Sequence, residues 1–169
     1  MSTDLLLPSL FRYKAWAGDA LLACLARIDA QVHAAERHTA MRIANHIHIV
    51  DRLFEAQLQR LPLPFAATNT PDTPTLDALH DAVRTTDAWY LRFVEDQPPQ
   101  ALAERLHFVF TDGEAGCMSR AEMLMHVIAH GTYHRGAIGR ILQQLGIAPP
   151  RDLFTGFLHA SEPERRAAV

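Results

Sequence analysis

Residues 126–146 read HVIAHGTYHRGAIGRILQQLG, and their apolar residues recur at the spacing of an amphipathic helix. Within this segment His126, His130 and His134 follow one another at intervals of four. Because each residue advances about 100° around a helix, the three rings project from one side of it. The same angular count groups them with the apolar residues of the face that is predicted to be buried.

Histidines on a buried helix face require an explanation, since an imidazole without a hydrogen-bond partner costs about 1–3 kcal/mol to bury. A single buried histidine is more often a hydrogen-bonded core residue than a metal ligand, but three on one stripe favour a site. Two histidines at i and i+4 place their rings side by side, as in the helical HExxH metalloproteins. One helix therefore provides a pair of ligands, and a third ligand has to come from another element.

An earlier segment, ANHIHIVDRLFEAQL at residues 44–58, offers two further histidines. His46 lies at the flank of the apolar stripe that begins at Ile43, whereas His48 lies well off that stripe. We therefore predict His46 as the inward ring and His48 as a solvent-exposed or rim residue. Asp51 lies at the opposite edge of the stripe, where it either accepts a hydrogen bond from an imidazole N–H or is a surface carboxylate.

The chain as a whole predicts an all-α four-helix bundle, since four amphipathic segments have about 20 residues each. The dipeptide Asp112-Gly113 after LHFVF predicts a short hairpin between helices three and four. Ser119 and Glu122 have the spacing of a capping box, which marks the start of helix four. The predicted helices run from about Asp4 to Ile28, from Thr39 to Arg60, from Pro74 or Thr75 to just before DQPPQ at residues 96–100, and from Ser119 to about Leu145.

Length and composition predict one domain over residues 1–160 with a frayed tail at 161–169. The net charge is -3, and the sequence has no basic patch of the kind that a nucleic-acid binder presents. No stretch approaches the roughly 18 apolar residues of a membrane span, and the first residues lack the pattern of a secretory signal. Cys24 and Cys117 lie far apart, which favours free thiols and a cytoplasmic location.

Three segments together resemble the DinB/YfiT-like superfamily of metal-dependent proteins: FRYKAWAGDALL at 11–22, NHIHIVDRLF at 45–54 and the segment 126–146. The likeness extends from about Leu6 to Phe154. It implies a four-helix bundle with up-down-down-up topology, commonly assembled as a homodimer.

The resemblance also implies a metal ion on three histidines, which here are His46 from helix two and the HxxxH pair His130 and His134 from helix four. His126 matches a histidine that is frequent in the DinB branch, and we assign it a role behind the ligands or in lining the pocket. His48 stands where the family more often has an apolar or aromatic residue, so it remains an alternative ligand from helix two.

Three imidazole ligands leave a coordination position open, as in catalytic rather than structural zinc sites. Such ligands suit several divalent transition metals, with zinc or nickel expected here. Some relatives in the superfamily are S-transferases or isomerases that use a low-molecular-weight thiol. The resemblance therefore implies a metal-dependent enzyme that transfers or uses a cellular thiol and binds a small-molecule substrate. A non-catalytic or stress-associated metal-binding dimer and a metal-dependent hydrolase are the alternatives.

Two residues that flank His134 have alternative predicted roles. Tyr133 is predicted at the pocket rim, as a functional hydrogen-bond donor or as interface packing. Arg135 is predicted to point away from the pocket, where it forms a salt bridge or dimer contact or binds a substrate carboxylate.

Overall fold

The computed structural model describes residues 6–166. In chain order its elements are α1 (Leu6–Leu25), α2 (Ala34–Gln59), α3 (Leu76–Asp96), α4 (Pro99–Leu102), β1 (Arg105–Val109), β2 (Ala115–Ser119), α5 (Arg120–Gln144) and α6 (Phe154–Ser161). A single 3-10 turn follows at Pro163–Arg166. The predicted all-helical class is confirmed, with one small hairpin as its sheet. No helix in this described part of the chain is long and apolar enough to cross a membrane.

In the packing of the four long helices, α1 and α2 lie diagonally opposite each other, and so do α3 and α5. Each of α1 and α2 makes its main contacts with α3 and α5, and the two touch each other only slightly. Leucine, isoleucine, methionine and aromatic side chains fill the interior. The largest completely buried side chains are Phe11, Leu25, Ile49, Leu58, Leu79, Tyr90, Met123, Leu124, Val127, Ile138 and Leu142. The up-down-down-up order of the helices stays a prediction.

The predicted start of α5 and the predicted hairpin before it are both confirmed. The Ser119 hydroxyl accepts a hydrogen bond from the backbone N–H of Glu122, and the Glu122 carboxylate accepts one from the N–H of Ser119. Strands β1 and β2 pair antiparallel from Arg105↔Ser119 to Val109↔Ala115. Gly113 takes a φ of 91° at the turn, which only glycine adopts without strain.

Helix boundaries differ from the predictions by more than two residues in two places. Helix α1 ends at Leu25 rather than Ile28, because the chain tightens into a turn in which the N–H of Ile28 bonds the carbonyl of Leu25. Helix α2 begins at Ala34 rather than Thr39, because its first turns face solvent and carry no apolar repeat. The short helices α4 and α6 were not predicted. The predicted start at Asp4 and the last three residues of the predicted tail, 167–169, lie outside the described residues.

Candidate metal centre

The packing of α2 along α5 brings His46 opposite His130 and His134. One ring nitrogen from each histidine lies within 4.8 Å of the others. The two closest are the Nε2 atoms of His46 and His130, which are 3.1 Å apart. The three ring centroids lie between 4.5 and 4.9 Å from one another. No other trio of His, Cys, Asp or Glu side chains converges in this way within residues 6–166.

This arrangement fits a metal ion. A zinc ion at about 2.1 Å from each imidazole nitrogen in tetrahedral geometry separates two such nitrogens by roughly 3.4 Å. The His46–His130 separation of 3.1 Å is close to that value. Three neutral nitrogen donors suit zinc, nickel or copper better than magnesium or calcium, which prefer oxygen ligands. All three rings are partly exposed, so the centre is open to small molecules.

The orientation of His46 is set by a hydrogen bond on the far side of its ring. Its Nδ1 lies 2.8 Å from the backbone carbonyl oxygen of Thr68, to which it must donate a proton. The neutral ring therefore carries its lone pair on Nε2, which faces His130. A backbone carbonyl that fixes the tautomer of a histidine in this way is the usual support of a metal ligand.

Buried polar contacts hold the loop that contains Thr68. The side-chain amide of Asn45 donates to the Oδ1 of Asn69 at 2.5 Å and to the hydroxyl of Thr70 at 2.7 Å. Asn69 in turn donates to the carbonyl of Arg42 at 3.0 Å. Our sequence analysis missed these residues. An asparagine in the middle of a helix, next to a candidate ligand, is the signal that could have identified Asn45.

The local environment favours the neutral form of His130 and His134. Burial and the neighbouring His134, His46 and His126 lower the pKa of His130 to about 3. Partial burial, together with His46, also lowers the pKa of His134. Because a metal ion binds only the unprotonated ring, a lowered pKa leaves these nitrogens free at neutral pH. The Nδ1 of His130 is buried and has no hydrogen-bond partner in the structure.

His126 and Tyr133 border the cluster without joining it. The His126 ring stacks on His130 at 5.5 Å between centroids and lies 4.6 Å from the ring of Phe54. Partial burial lowers the pKa of His126, although much of its ring is open to solvent. Tyr133 is 77 % exposed and meets His134 edge-on at 5.0 Å. Their predicted roles at the pocket remain predictions.

The prediction for the surroundings of His48 was wrong. His48 is only 7 % exposed, and burial followed by the charge of Arg52 lowers its pKa to about 4. The error arose because α2 is covered by α3 as well as by α5, so more than one of its faces is buried. The ring of His46, and not that of His48, lies in the three-histidine cluster.

Neither environment predicted for Asp51 is found. The carboxylate is 2 % exposed, so it is not on the surface. Its Oδ2 lies 2.8 Å from the Nζ of Lys14, which also pairs with Asp87, while its Oδ1 has no hydrogen-bond partner. No imidazole therefore donates to Asp51, and the residue belongs to a buried ion-pair cluster that links α1, α2 and α3.

Arg135 was predicted on the exposed side of its helix, but it is only 5 % exposed. The predicted salt bridge is present, since the Nε of Arg135 lies 2.7 Å from the Oδ2 of Asp152. The buried residues of α5 include Leu124, Ile128, Ile138 and Leu142. At about 100° per residue, the buried face is therefore centred roughly a quarter turn away from the histidines.

The histidines consequently lie at the edge of the buried face of α5, on the side that meets α2, and not at its centre. Helix α5 packs against both α1 and α2, which widens the face that it buries. An edge position leaves the rings near a partner helix and still accessible from solvent.

The fold and the site together define a helical protein with a three-histidine cluster, built from two helices, that can hold a metal ion. Comparison with known families identifies the group more closely: the chain belongs to the DinB family, whose model matches residues 1–166. A similar curated protein is Protein DinB of Bacillus subtilis (strain 168), which is 21 % identical over 168 residues, covering 92 % of this chain and 95 % of that protein. No solved structure matches the chain significantly.

Proposed function

We propose that His46, His130 and His134 bind one divalent transition metal ion, zinc or nickel, and that the protein is a metal-dependent enzyme that uses a low-molecular-weight thiol. The observation that carries the proposal is the convergence of three imidazole nitrogens within 4.8 Å. No Cys, Asp or Glu of the described chain completes the set as a fourth ligand. A centre with three protein ligands leaves a position for a substrate atom.

The proposed reaction is an S-transfer to a small electrophile. A divalent ion on three neutral ligands keeps its full charge and lowers the pKa of a thiol that reaches it. The thiol loses its proton to solvent, and a lone pair of its sulfur forms a bond to the electrophilic carbon. The leaving group departs with the electron pair of the bond that breaks.

Residues around the cluster have separate tasks in this proposal. The carbonyl of Thr68 orients His46 through its Nδ1. In this proposal the hydroxyl of Tyr133 donates a hydrogen bond to the leaving group, which the contact of its exposed ring with His134 supports. His126 stacks on His130 and lines the entrance.

A thiol reaction fits the surroundings better than metal-dependent hydrolysis does. Hydrolysis at such a centre calls for a general base within hydrogen-bond reach of the attacking water. Within residues 6–166 no carboxylate joins the cluster, and Asp51 is already paired with Lys14. A thiol needs less help from a base, because its pKa is already lower than that of water.

Metal analysis of the purified protein tests the site. We expect about one equivalent of metal per chain, lost in His46→Ala, His130→Ala and His134→Ala. His38→Ala is the matched control, since His38 is an exposed histidine of the same helix as His46. Retention of a full equivalent of metal by all three site variants, with folding confirmed by circular dichroism, would contradict the assignment.

Cobalt-substituted protein separates the thiol proposal from a non-catalytic metal site. Addition of glutathione, bacillithiol or mycothiol should change the visible absorption spectrum, and the same thiol should support transfer to chlorodinitrobenzene. If the metal binds but no thiol changes the spectrum, the thiol proposal fails. A spectral change without transfer to any electrophile would favour the non-catalytic or stress-associated alternative.

We further propose that the protein acts as a homodimer in the cytoplasm. Both cysteines, Cys24 and Cys117, are free thiols, which suits a reducing compartment. Membership of the DinB family and the resemblance of the motifs support the dimer. Sedimentation equilibrium at micromolar concentration measures the assembly, and a monomer mass at all concentrations would refute this part of the proposal.

A further inference from the structure

An apolar groove lies beside the three-histidine cluster, between α2, the loop that follows α2, and strand β1. Its volume is about 60 Å³. Its walls include Val50, Phe54, Leu63, Phe108, Val109 and Phe110. Val109 and Phe110 are 53 % and 40 % exposed, which is unusual for such large apolar side chains at the edge of a hairpin.

One wall of the groove contacts the histidine cluster through a hydrogen bond, and another approaches it through His126. On one side the ring of Phe54 lies 4.6 Å from His126, which stacks on His130. On the other side Thr68 lines the groove, and its carbonyl oxygen accepts the hydrogen bond from His46. The groove therefore lies next to the cluster, which it meets through Thr68 and through the contact of Phe54 with His126.

The lining of the groove selects for an uncharged group. No charged side chain lines it, and its polar side chains are those of Gln57, Thr68 and Thr111. The amide of Gln57 already donates to the carbonyl of Val109 at 3.0 Å. A charged group that entered would lose its hydration without gaining a partner, whereas an alkyl group would lose nothing.

The aromatic walls of the groove hold one another in place. The ring of Phe108 meets Phe54 at 6.3 Å and Phe110 at 4.9 Å, both edge-on. It also packs over Gly116 on the paired strand, where an added Cβ would lie 2.6 Å from the ring. The groove is therefore preformed, so a ligand does not have to order its walls.

We infer that this groove binds an uncharged alkyl group of two or three carbon atoms on the small molecule whose reactive end reaches the three histidines. The inference rests on the proposed function and names a substrate class for it. The size follows from the volume of about 60 Å³, since an apolar cavity of about 150 Å³ holds the six carbon atoms of benzene. Each methylene that enters should tighten binding about fourfold.

A series of alkanethiols on the cobalt-loaded protein tests the inference. Ethanethiol, propanethiol and butanethiol are titrated while the visible spectrum reports their dissociation constants. We expect about a fourfold decrease in dissociation constant for each added carbon until the groove is full. 3-Mercaptopropionate, which is charged at its far end, should bind no more tightly than ethanethiol.

Substitutions in the groove wall test whether the dependence of affinity on the length of the thiol arises at this surface. In Phe110→Ala and Leu63→Ala the affinity for ethanethiol should stay the same, while the gain for the longer thiols should fall to less than twofold per carbon. Leu153→Ala is the matched control, because Leu153 is an exposed leucine outside the groove. Equal length dependence in wild type and both wall variants would overturn the inference.

A second measurement, without metal, distinguishes failure of the groove from failure of the proposed function. 1-Butanol is titrated into the metal-free protein while the methyl resonances of Val50, Leu63 and Val109 are recorded. If no thiol reaches the cobalt but butanol shifts these resonances, the proposed function fails and the groove stands. If thiols bind regardless of their length, the inference fails and the proposed function stands, whatever butanol does.

Discussion

The Nδ1 of His46 donates a hydrogen bond of 2.8 Å to the carbonyl oxygen of Thr68, a loop residue 22 positions after His46 in the chain. This bond leaves the Nε2 of His46 as the lone-pair atom, and that atom faces His130 at 3.1 Å. A loop therefore sets the chemical state of a candidate ligand on a neighbouring helix.

Asn69→Ala should weaken metal binding without removing a ligand. The change deletes the amide that accepts from Asn45 and donates to the carbonyl of Arg42, so the Thr68 carbonyl is less firmly placed. Loss of such outer support costs about 10–100-fold in metal affinity. Competition with a chromogenic chelator measures the affinity. Gln144→Ala, an exposed amide on α5, should leave it unchanged, and equal affinities in both variants would refute the positioning role.

Asp51→Asn should alter how stability depends on pH. Burial, and to a smaller extent Asp87, raise the pKa of Asp51 to about 6 from 3.8, despite the opposing charge of Lys14. The folded protein therefore binds this proton more tightly than the unfolded chain does. The resulting stabilisation is fully present below pH 3.8 and is lost as the pH rises through 6. Between these two pH values the free energy of unfolding of wild type should fall by on the order of 1–3 kcal/mol relative to that of the variant, whose amide at position 51 does not titrate.

Urea unfolding at pH 4.5 and pH 7.5 measures this difference. Asp81→Asn serves as the control, because Asp81 is an exposed carboxylate on α3. Its free energy of unfolding relative to wild type should be the same at both pH values. A constant offset for Asp51→Asn as well would show that the Asp51 carboxyl does not titrate in this window.

Asp152→Ala should destabilise the protein, because it leaves the buried Arg135 without its carboxylate partner. Asp152 accepts hydrogen bonds from the buried guanidinium of Arg135 and from the hydroxyl of Tyr13. Burial and Asp152 together raise the pKa of Tyr13 to about 12. Removing the carboxylate leaves the buried guanidinium of Arg135 unpaired, which lowers the free energy of unfolding by about 3 kcal/mol.

Guanidinium chloride unfolding measures this loss of stability and compares it with the loss caused by breaking an exposed salt bridge. Glu95→Ala breaks the salt bridge of Glu95 with Arg12, in which both side chains are exposed, and should cost no more than about 1 kcal/mol. Comparable losses in the two variants would mean that Arg135 finds other partners or water when Asp152 is absent.

Metal should stabilise the folded chain, and chelation should reverse the effect. At a free zinc concentration of 1,000 times the dissociation constant, binding adds about 4 kcal/mol to the free energy of unfolding. For a chain of this size that corresponds to a rise of roughly 8–16 °C in Tm. Calorimetry with zinc and then with EDTA measures both directions. His134→Ala should show neither shift, and a shift of wild-type size in that variant would place the metal elsewhere.

The helices and the histidines that share a helix side could be predicted because their signals are local. The spacing of His130 and His134 fixes two rings on one helix side, whatever surrounds them. The capping box of Ser119 and Glu122 involves only four consecutive residues, and the turn at Asp112-Gly113 depends on two. The choice of His46 combined the helical angle with the resemblance of the flanking motif to the DinB family.

Environments set by more than one neighbouring helix could not be predicted in the same way. Helical periodicity identifies one buried face, whereas α2 and α5 each pack against more than one helix. His48, Asp51 and Arg135 were therefore placed toward solvent or at an edge, and all three are buried. No sequence signal marks the Thr68 carbonyl, since every residue carries a backbone carbonyl.

The sequence by itself determined where helices and turns form and which histidines share a helix side, because backbone hydrogen bonding and side-chain spacing act over a few residues. Only the tertiary structure decided that His46 meets His130, that Lys14 pairs with Asp51 inside the protein, and that an apolar groove opens beside the cluster. Those relationships join segments far apart in the chain, and they depend on which helix faces are pressed together to remove apolar surface from water.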